Sequence, residues 1–170
     1  MKRDYIEFQS REYPVGYLLT FRTYGTWLHG DPRGSVDRHH NRFGTPALPA
    51  SEQRQNRNRA LLNRAPVYLN KNQRSAVQSS MRETCDIRQW TLWDAHARTN
   101  HVHVVLSCGC KPGSALTALK ANATRWMRDK GCWNSNGTPW QGGSKKYLWD
   151  EEELQNAVAY VRNRQGLPLT

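Results

Sequence analysis

Long hydrophobic runs are missing from this 170-residue sequence. No apolar stretch approaches the roughly 20 residues that a membrane-spanning helix needs, and the opening "MKRDYIEFQSREYP" lacks the apolar core of a signal peptide. No membrane partner and a cytoplasmic protein are the expectations. Cysteine is scarce as well. Cys85, Cys108, Cys110 and Cys132 include no C-x-x-C pair, so reduced thiols are expected rather than a structural zinc site. Acidic residues are the third shortage: Lys and Arg outnumber Asp and Glu by 25 to 14, with a pI near 9.9. The positive charge is spread along the chain rather than held in a tail, which suits a polyanionic partner such as nucleic acid. Seven tryptophans and seven tyrosines add possible stacking platforms for unpaired bases. The glycine and aromatic signature of an RNA-recognition sheet is absent, which makes a plain RNA-binding module less attractive.

The length fits one domain, residues 1–170, interrupted by a long insertion at about 25–69. "GYLLTFRTYG" reads as a first strand over Tyr17 to Thr23. The insertion is dense in Gly, Pro, Asn and Arg and has no sustained period. Such a segment in a compact domain is usually functional or disordered. It holds His29, His39 and His40, read as loop histidines with a substrate-reading role left open, and a short helix is expected around Glu52 to Leu62. Val77, Met81 and Cys85 recur at helical spacing and predict a helix over about Lys71 to Cys85. "WTLWDAHA" and "HVHVVL" predict a hairpin in which His96 faces His103. Ser114 is a candidate cap for a helix that places Leu116, Leu119, Ala123, Trp126 and Met127 on one side and stops at Gly131. A strand over Lys145 to Trp149 follows, and Asp150 is the candidate cap of a last helix, with acids in its first turn and arginines near its end. The order β-α-β-β-α-β-α predicts an α+β, ferredoxin-like antiparallel sheet with helices on one face and an added C-terminal helix.

In "TNHVHVVL" the period of a strand puts His101 and His103 on one face and Val102, Val104 and Leu106 on the other. Imidazole is the commonest protein metal ligand, and a strand can hold two on one ion. The plain alternative is a hydrogen-bonded structural pair. In the ferredoxin-like arrangement these histidines sit mid-sheet, and the last helix, carrying Tyr160, Asn163 and Gln165, can cross the same face. A tyrosine hydroxyl beside a metal can attack a phosphorus. Tyr160 is the first candidate, with packing against Leu154, Val158 and Val161 as its alternative; Tyr147 is the rival nucleophile.

The strand "HVH" after Asn100, the following helix, the strand "YLW" and the terminal helix carrying "AYVRNRQG" together resemble the HUH-type single-tyrosine transposases. Within them the chain is similar to the insertion-sequence 200/605 type and the REP-associated tyrosine transposases. "LLTFRTYGTWLHGDPRGSVDR" also resembles the N-terminal part of bacterial proteins of this group. The resemblance implies a divalent metal, Mg or Mn, held by His101, His103 and a third polar side chain. It implies that Tyr160 cuts single-stranded DNA to leave a 5′-phosphotyrosine and a free 3′-hydroxyl, which permits rejoining. It further implies a location with the nucleoid in the cytoplasm, and a homodimer if the chain is of the insertion-sequence type, whereas a REP-associated type could act as a monomer.

The third ligand departs from the family pattern, in which a Gln or Asn follows the tyrosine by four residues. Arg164 stands there, and a guanidinium cannot bind a cation. At about 100° per residue, Asn163 lies about 60° from Tyr160 around the helix and Gln165 about 140°. Geometry favours Asn163, whereas the family's appearance favours Gln165, the residue chosen. Lys120, Arg125, Lys145 and Lys146 are candidates for phosphate neutralisation, and Trp140 or Trp149 for base stacking. The displaced ligand also suits a second reading, a domesticated protein that binds a DNA hairpin without cutting it. A hydrolytic metalloenzyme for small substrates would use the same histidines with an acidic partner, but no Glu lies near them in sequence.

Overall fold

In the first strand, alternation buries Tyr17, Leu19 and Phe21 on one side and sets Thr20 and Arg22 on the other. The computed structural model describes residues 13–35 and 46–163. Its elements are β1 (Gly16–Thr23), α1 (Glu52–Ala60), α2 (Lys71–Arg88), β2 (Thr91–Ala97), β3 (His101–Ser107), α3 (Pro112–Asp129), β4 (Trp140–Leu148) and α4 (Glu151–Asn163). The strands form one sheet in the order β2-β3-β1-β4, with every neighbouring pair antiparallel. This is the ferredoxin-like α+β arrangement expected from the order of elements. It puts β3 and β1 at the centre.

The helices α2 and α3 pack together over one face of the sheet. There Leu19, Phe21, Val77, Met81, Val102, Val104, Leu119 and Met127 are fully buried. Each such side chain contributes about 1.5–3 kcal/mol through removal from water. The other face is crossed by α4, whose Leu154, Ala157 and Val161 pack on Val105 and Leu148. That second apolar cluster is small, and it leaves the remainder of the face to polar groups.

Local signals explain most boundaries. Asn70 and Gln73 form a reciprocal capping box at the start of α2. The Asp150 carboxylate accepts the Glu153 N–H at 2.8 Å, as expected of the cap of α4. Beyond shifts of one or two residues, three boundaries differ from the sequence reading. Helix α2 runs on to Arg88, because its last turn is solvated and so lacks the buried stripe that marks the rest. Helix α3 starts at Pro112, with Lys111 before it and no side-chain cap, so Ser114 lies inside the first turn. Proline at the first helical position is pre-set for the helix and its missing N–H is one of the unpaired donors anyway. Strand β4 starts at Trp140 rather than Lys145, because the pairing with β1 passes through an irregularity at Gly142 and Gly143 that hides the strand pattern. A Cβ on Gly143 would come within 2.9 Å of the Thr20 carbonyl, and its φ of 159° suits glycine.

The described parts of the insertion are tied down at several points. The Trp27 indole donates to the Gly34 carbonyl at 2.8 Å. The Ser51 hydroxyl accepts the Arg54 N–H and caps α1, which buries no residue of its own. The Ser51 N–H reaches the Gly30 carbonyl at 2.9 Å, and Ser35 bridges Leu48. His39, His40, Arg164 and Gln165 lie outside the described residues. Among the described residues no helix is long and apolar enough to cross a membrane.

Candidate active site

The register of β3 against β1 sets Thr20 opposite His103 and Arg22 opposite His101, so four polar side chains share the face that α4 crosses. The two imidazoles meet edge to face with centroids 4.8 Å apart. Each has its Nδ1 engaged. His101 Nδ1–H donates to the Asn100 amide oxygen at 2.8 Å, and His103 Nδ1 shares a hydrogen bond with the Thr20 hydroxyl at 2.7 Å. Such partners fix the ring and leave Nε2 as the ligating nitrogen. His96 faces His103 across the β2–β3 hairpin, as the sequence pattern predicts.

Burial pushes both imidazoles down to about 4, with Arg98 adding to the effect at His101 and the neighbouring His101 adding to it at His103. At neutral pH both rings are therefore uncharged, the form that can offer a lone pair to a cation.

Tyr160 comes to this pair from α4. Its ring meets that of His103 edge to face with centroids 5.5 Å apart, and the residue is 40% exposed. It is thus not the packed core tyrosine that Leu154 and Val161, both buried on the adjoining side of the helix, would have accommodated. Arg162 helps seat the end of α4 through an ion pair with Asp94 of β2 at 3.1 Å. Tyr160, Thr20, His101, His103 and Lys146 line a cavity of about 580 Å³, together with Asn156, one helical turn before the tyrosine.

Tyr147 lies on the opposite face, edge-on to Tyr17 at 5.3 Å and stacked on Trp149 at 5.9 Å. The proposed phosphate and base contacts divide in the same way. Lys146 lines the histidine cavity, whereas Lys145, one residue earlier, turns towards Gly113 of α3. Lys120, also on the α3 side, donates to the Gly142 carbonyl at 2.5 Å. Arg125 is held on α3 by Glu83 at 2.5 Å and Asp129 at 2.9 Å. Trp140 is only 5% exposed: it packs edge-on to Phe21, and its indole N–H reaches Thr124 and the Lys120 carbonyl at 3.0 Å, so it presents no face to a base. Trp149 is also buried, at 3%. Asn163 is exposed at the end of α4. Among the described residues no three His, Cys, Asp or Glu side chains gather into a metal-binding group.

The sequence reading missed Thr20, Arg22, Trp27, Arg33 and Asn156, all of which line the histidine cavity. The strand period that selected the histidines could have selected Thr20 and Arg22 by pairing β1 with β3. Nothing in the irregular loop after β1 announces Trp27 and Arg33.

A solved chain offers one likeness: the crystal structure of a candidate transposase from Deinococcus radiodurans R1, at a TM-score of 0.47 and 14% identity, covering 98% of this chain and 100% of that one. No curated protein matches the chain. The model of the family described as "Transposase IS200 like" matches residues 61–164, a span that includes His101, His103 and Tyr160. With more than half of its length matched, the chain belongs to the IS200-like transposase family.

Proposed function

We propose that this transposase cuts and rejoins single-stranded or hairpin DNA through a covalent link between Tyr160 and a 5′-phosphate. The observation that carries the reading is the contact of the Tyr160 ring with His103, within one cavity that also holds His101. In the cleavage step the Tyr160 oxygen forms a bond to phosphorus and the bond from phosphorus to the 3′-oxygen breaks; the phenolic proton leaves the tyrosine and the departing 3′-oxygen ends as a hydroxyl. Attack by a 3′-hydroxyl on the phosphotyrosine reverses the bonds and regenerates Tyr160. The energy of the phosphodiester is conserved in the ester, so rejoining needs no ATP.

The residues present suit a divalent ion such as Mn or Mg. Two neutral imidazoles, His103 buried and His101 half-buried, have Nδ1 already engaged and leave two Nε2 donors, and the amide of Asn156, Asn163 or Gln165 is the kind of oxygen donor that would join them. When bound, the ion would draw charge from the non-bridging oxygens of the scissile phosphate. Thr20 and Asn100 orient the rings, Lys146 offers a cation to the DNA backbone, and α4 positions the nucleophile.

The test is a covalent-adduct assay with labelled single-stranded oligonucleotides from a randomised pool, with Mg or Mn, on a denaturing gel. The adduct is expected to form, to require metal, to survive Tyr147→Phe and to vanish with Tyr160→Phe and His103→Ala. A second reading, a DNA-hairpin-binding protein that no longer cuts, is favoured by Arg164 at the position where the family pattern has an amide. Tight DNA binding by the folded protein with no adduct in any lane would select it.

A further inference from the structure

The histidine cavity has a neighbour. A second cavity of about 620 Å³ lies between the end of β1, the loop after it and α1, and it shares Arg22, Trp27 and Arg33 with the first. These three residues form the wall between the two. Trp27 is contacted by two guanidiniums, with the Arg22 and Arg33 carbons 3.9 Å and 4.0 Å from its ring centroid. With its N–H also donated to the Gly34 carbonyl at 2.8 Å, the indole is held in place as a partition.

The two arginines differ in what neutralises them. Arg33 makes a two-pronged ion pair with Asp31, at 2.7 Å and 2.6 Å. Arg22 makes no close ion pair among the described residues, feeling Asp31 only through its charge, and its Nε is buried without a hydrogen-bond partner. Burial and then the charge of Arg33 bear against its cationic form, and the Asp31 carboxylate offsets them only in part. A half-buried guanidinium with an unpaired Nε–H is suited to an anion that completes it. The second cavity itself combines apolar walls from Leu61 and Leu62 with polar groups from His29, Asn58 and Gln141. Its volume falls in the range of about 300–1,000 Å³ typical of small-ligand sites. An anion at Arg22 and a flat heterocycle in the cavity describe one nucleotide.

We propose that single-stranded DNA crosses this wall: the scissile phosphate occupies the histidine cavity, Arg22 binds the adjoining phosphodiester, and the second cavity takes the unpaired base of the neighbouring nucleotide. The proposal rests on the reading of the chain as a single-strand nuclease, and it adds a base-accepting subsite beside the reactive centre.

The test uses full-length Tyr160→Phe protein in EDTA, so that neither cleavage nor metal enters. The probe is short random-sequence DNA with 5-iodouracil in place of thymine. Irradiation is expected to attach DNA to the tryptic peptide 23–33, which carries Tyr24, Trp27 and His29. Asn58→Trp, which fills the second cavity from α1, is expected to suppress that cross-link. Should it fail to fold, Ala47→Trp fills the same cavity from another side. In anisotropy titrations Arg22→Gln is expected to weaken binding about tenfold and to lower the slope of log K against log salt by about one. Arg82→Gln, an exposed cation on α2, is expected to change neither. Cross-links confined to other peptides, a wild-type yield in the folded cavity-filling variant, or equal losses in Arg22→Gln and Arg82→Gln would overturn the proposal. If these results hold while active protein forms no adduct, the cleavage chemistry fails and the subsite stands.

Discussion

The two faces of the sheet are made from the same strands and put to opposite uses. The face under α2 and α3 is sealed with Leu, Val, Phe and Met, whereas the face under α4 carries Thr20, Arg22, His101 and His103 beside a small apolar cluster. The first face holds most of the buried apolar area and with it most of the stabilisation. The second gives up that contribution where it places polar groups. Because the side-chain period of a strand is two, a protein can keep both properties in adjacent residues, with Val102 in the core and His103 at the site.

This division predicts that stability and activity separate by face. The largest effect belongs to the helical face: Phe21→Ala removes a fully buried ring and is expected to cost about 3–5 kcal/mol in chemical denaturation. A loss under 1 kcal/mol would mean that the core is not where the account places it. Thr20→Val, on the other face, keeps a β-branched residue in the strand but removes the partner of His103 Nδ1. Its expected result is a roughly 10–100-fold loss of Mn affinity by titration, with the unfolding midpoint little changed. Equal damage to both properties would break the comparison.

The smallest effect lies in the loop that edges the site. Arg33 donates hydrogen bonds to Asp31 and holds its carboxyl below the usual range. The sign follows: the stabilisation is present above the ordinary Asp range and is lost as pH falls through the lowered value. With Arg33 45% exposed, the contribution is at most about 1 kcal/mol. Asp31→Asn is expected to flatten the acid limb of a stability-versus-pH curve by that amount, and an unchanged limb would remove the clamp from the account.

Much of the polar face was legible because it depends on period and order. Strand alternation placed His101 with His103, hairpin pairing placed His96 opposite, and the order of elements brought the last helix over the same side with Tyr160 towards the histidines. The remainder depends on contacts that have no local signature. Trp140 reads as an exposed stacking residue beside a glycine-rich loop, yet it is core, because Thr124 and the Lys120 carbonyl satisfy its indole N–H from α3. Arg125 reads as a free cation, but Glu83 arrives from α2, which is distant in sequence. Lys145 and Lys146 look equivalent until the register of β4 assigns them to opposite faces. The wall of Arg22, Trp27 and Arg33 joins a strand to an aperiodic loop, where neither the 3.6 nor the 2.0 period reports which side chains meet.

The central claim is that the chemistry belongs to the face under α4, and the most direct measurement is to find which tyrosine carries the DNA. The covalent adduct formed with Mn can be trimmed with nuclease and sequenced by fragmentation mass spectrometry. Tyr147 and Tyr160 fall in one tryptic peptide, 147–162, so the fragment series must separate them. The account predicts the nucleotide on Tyr160, beside His103. A nucleotide on Tyr147, on the sealed face, would contradict it.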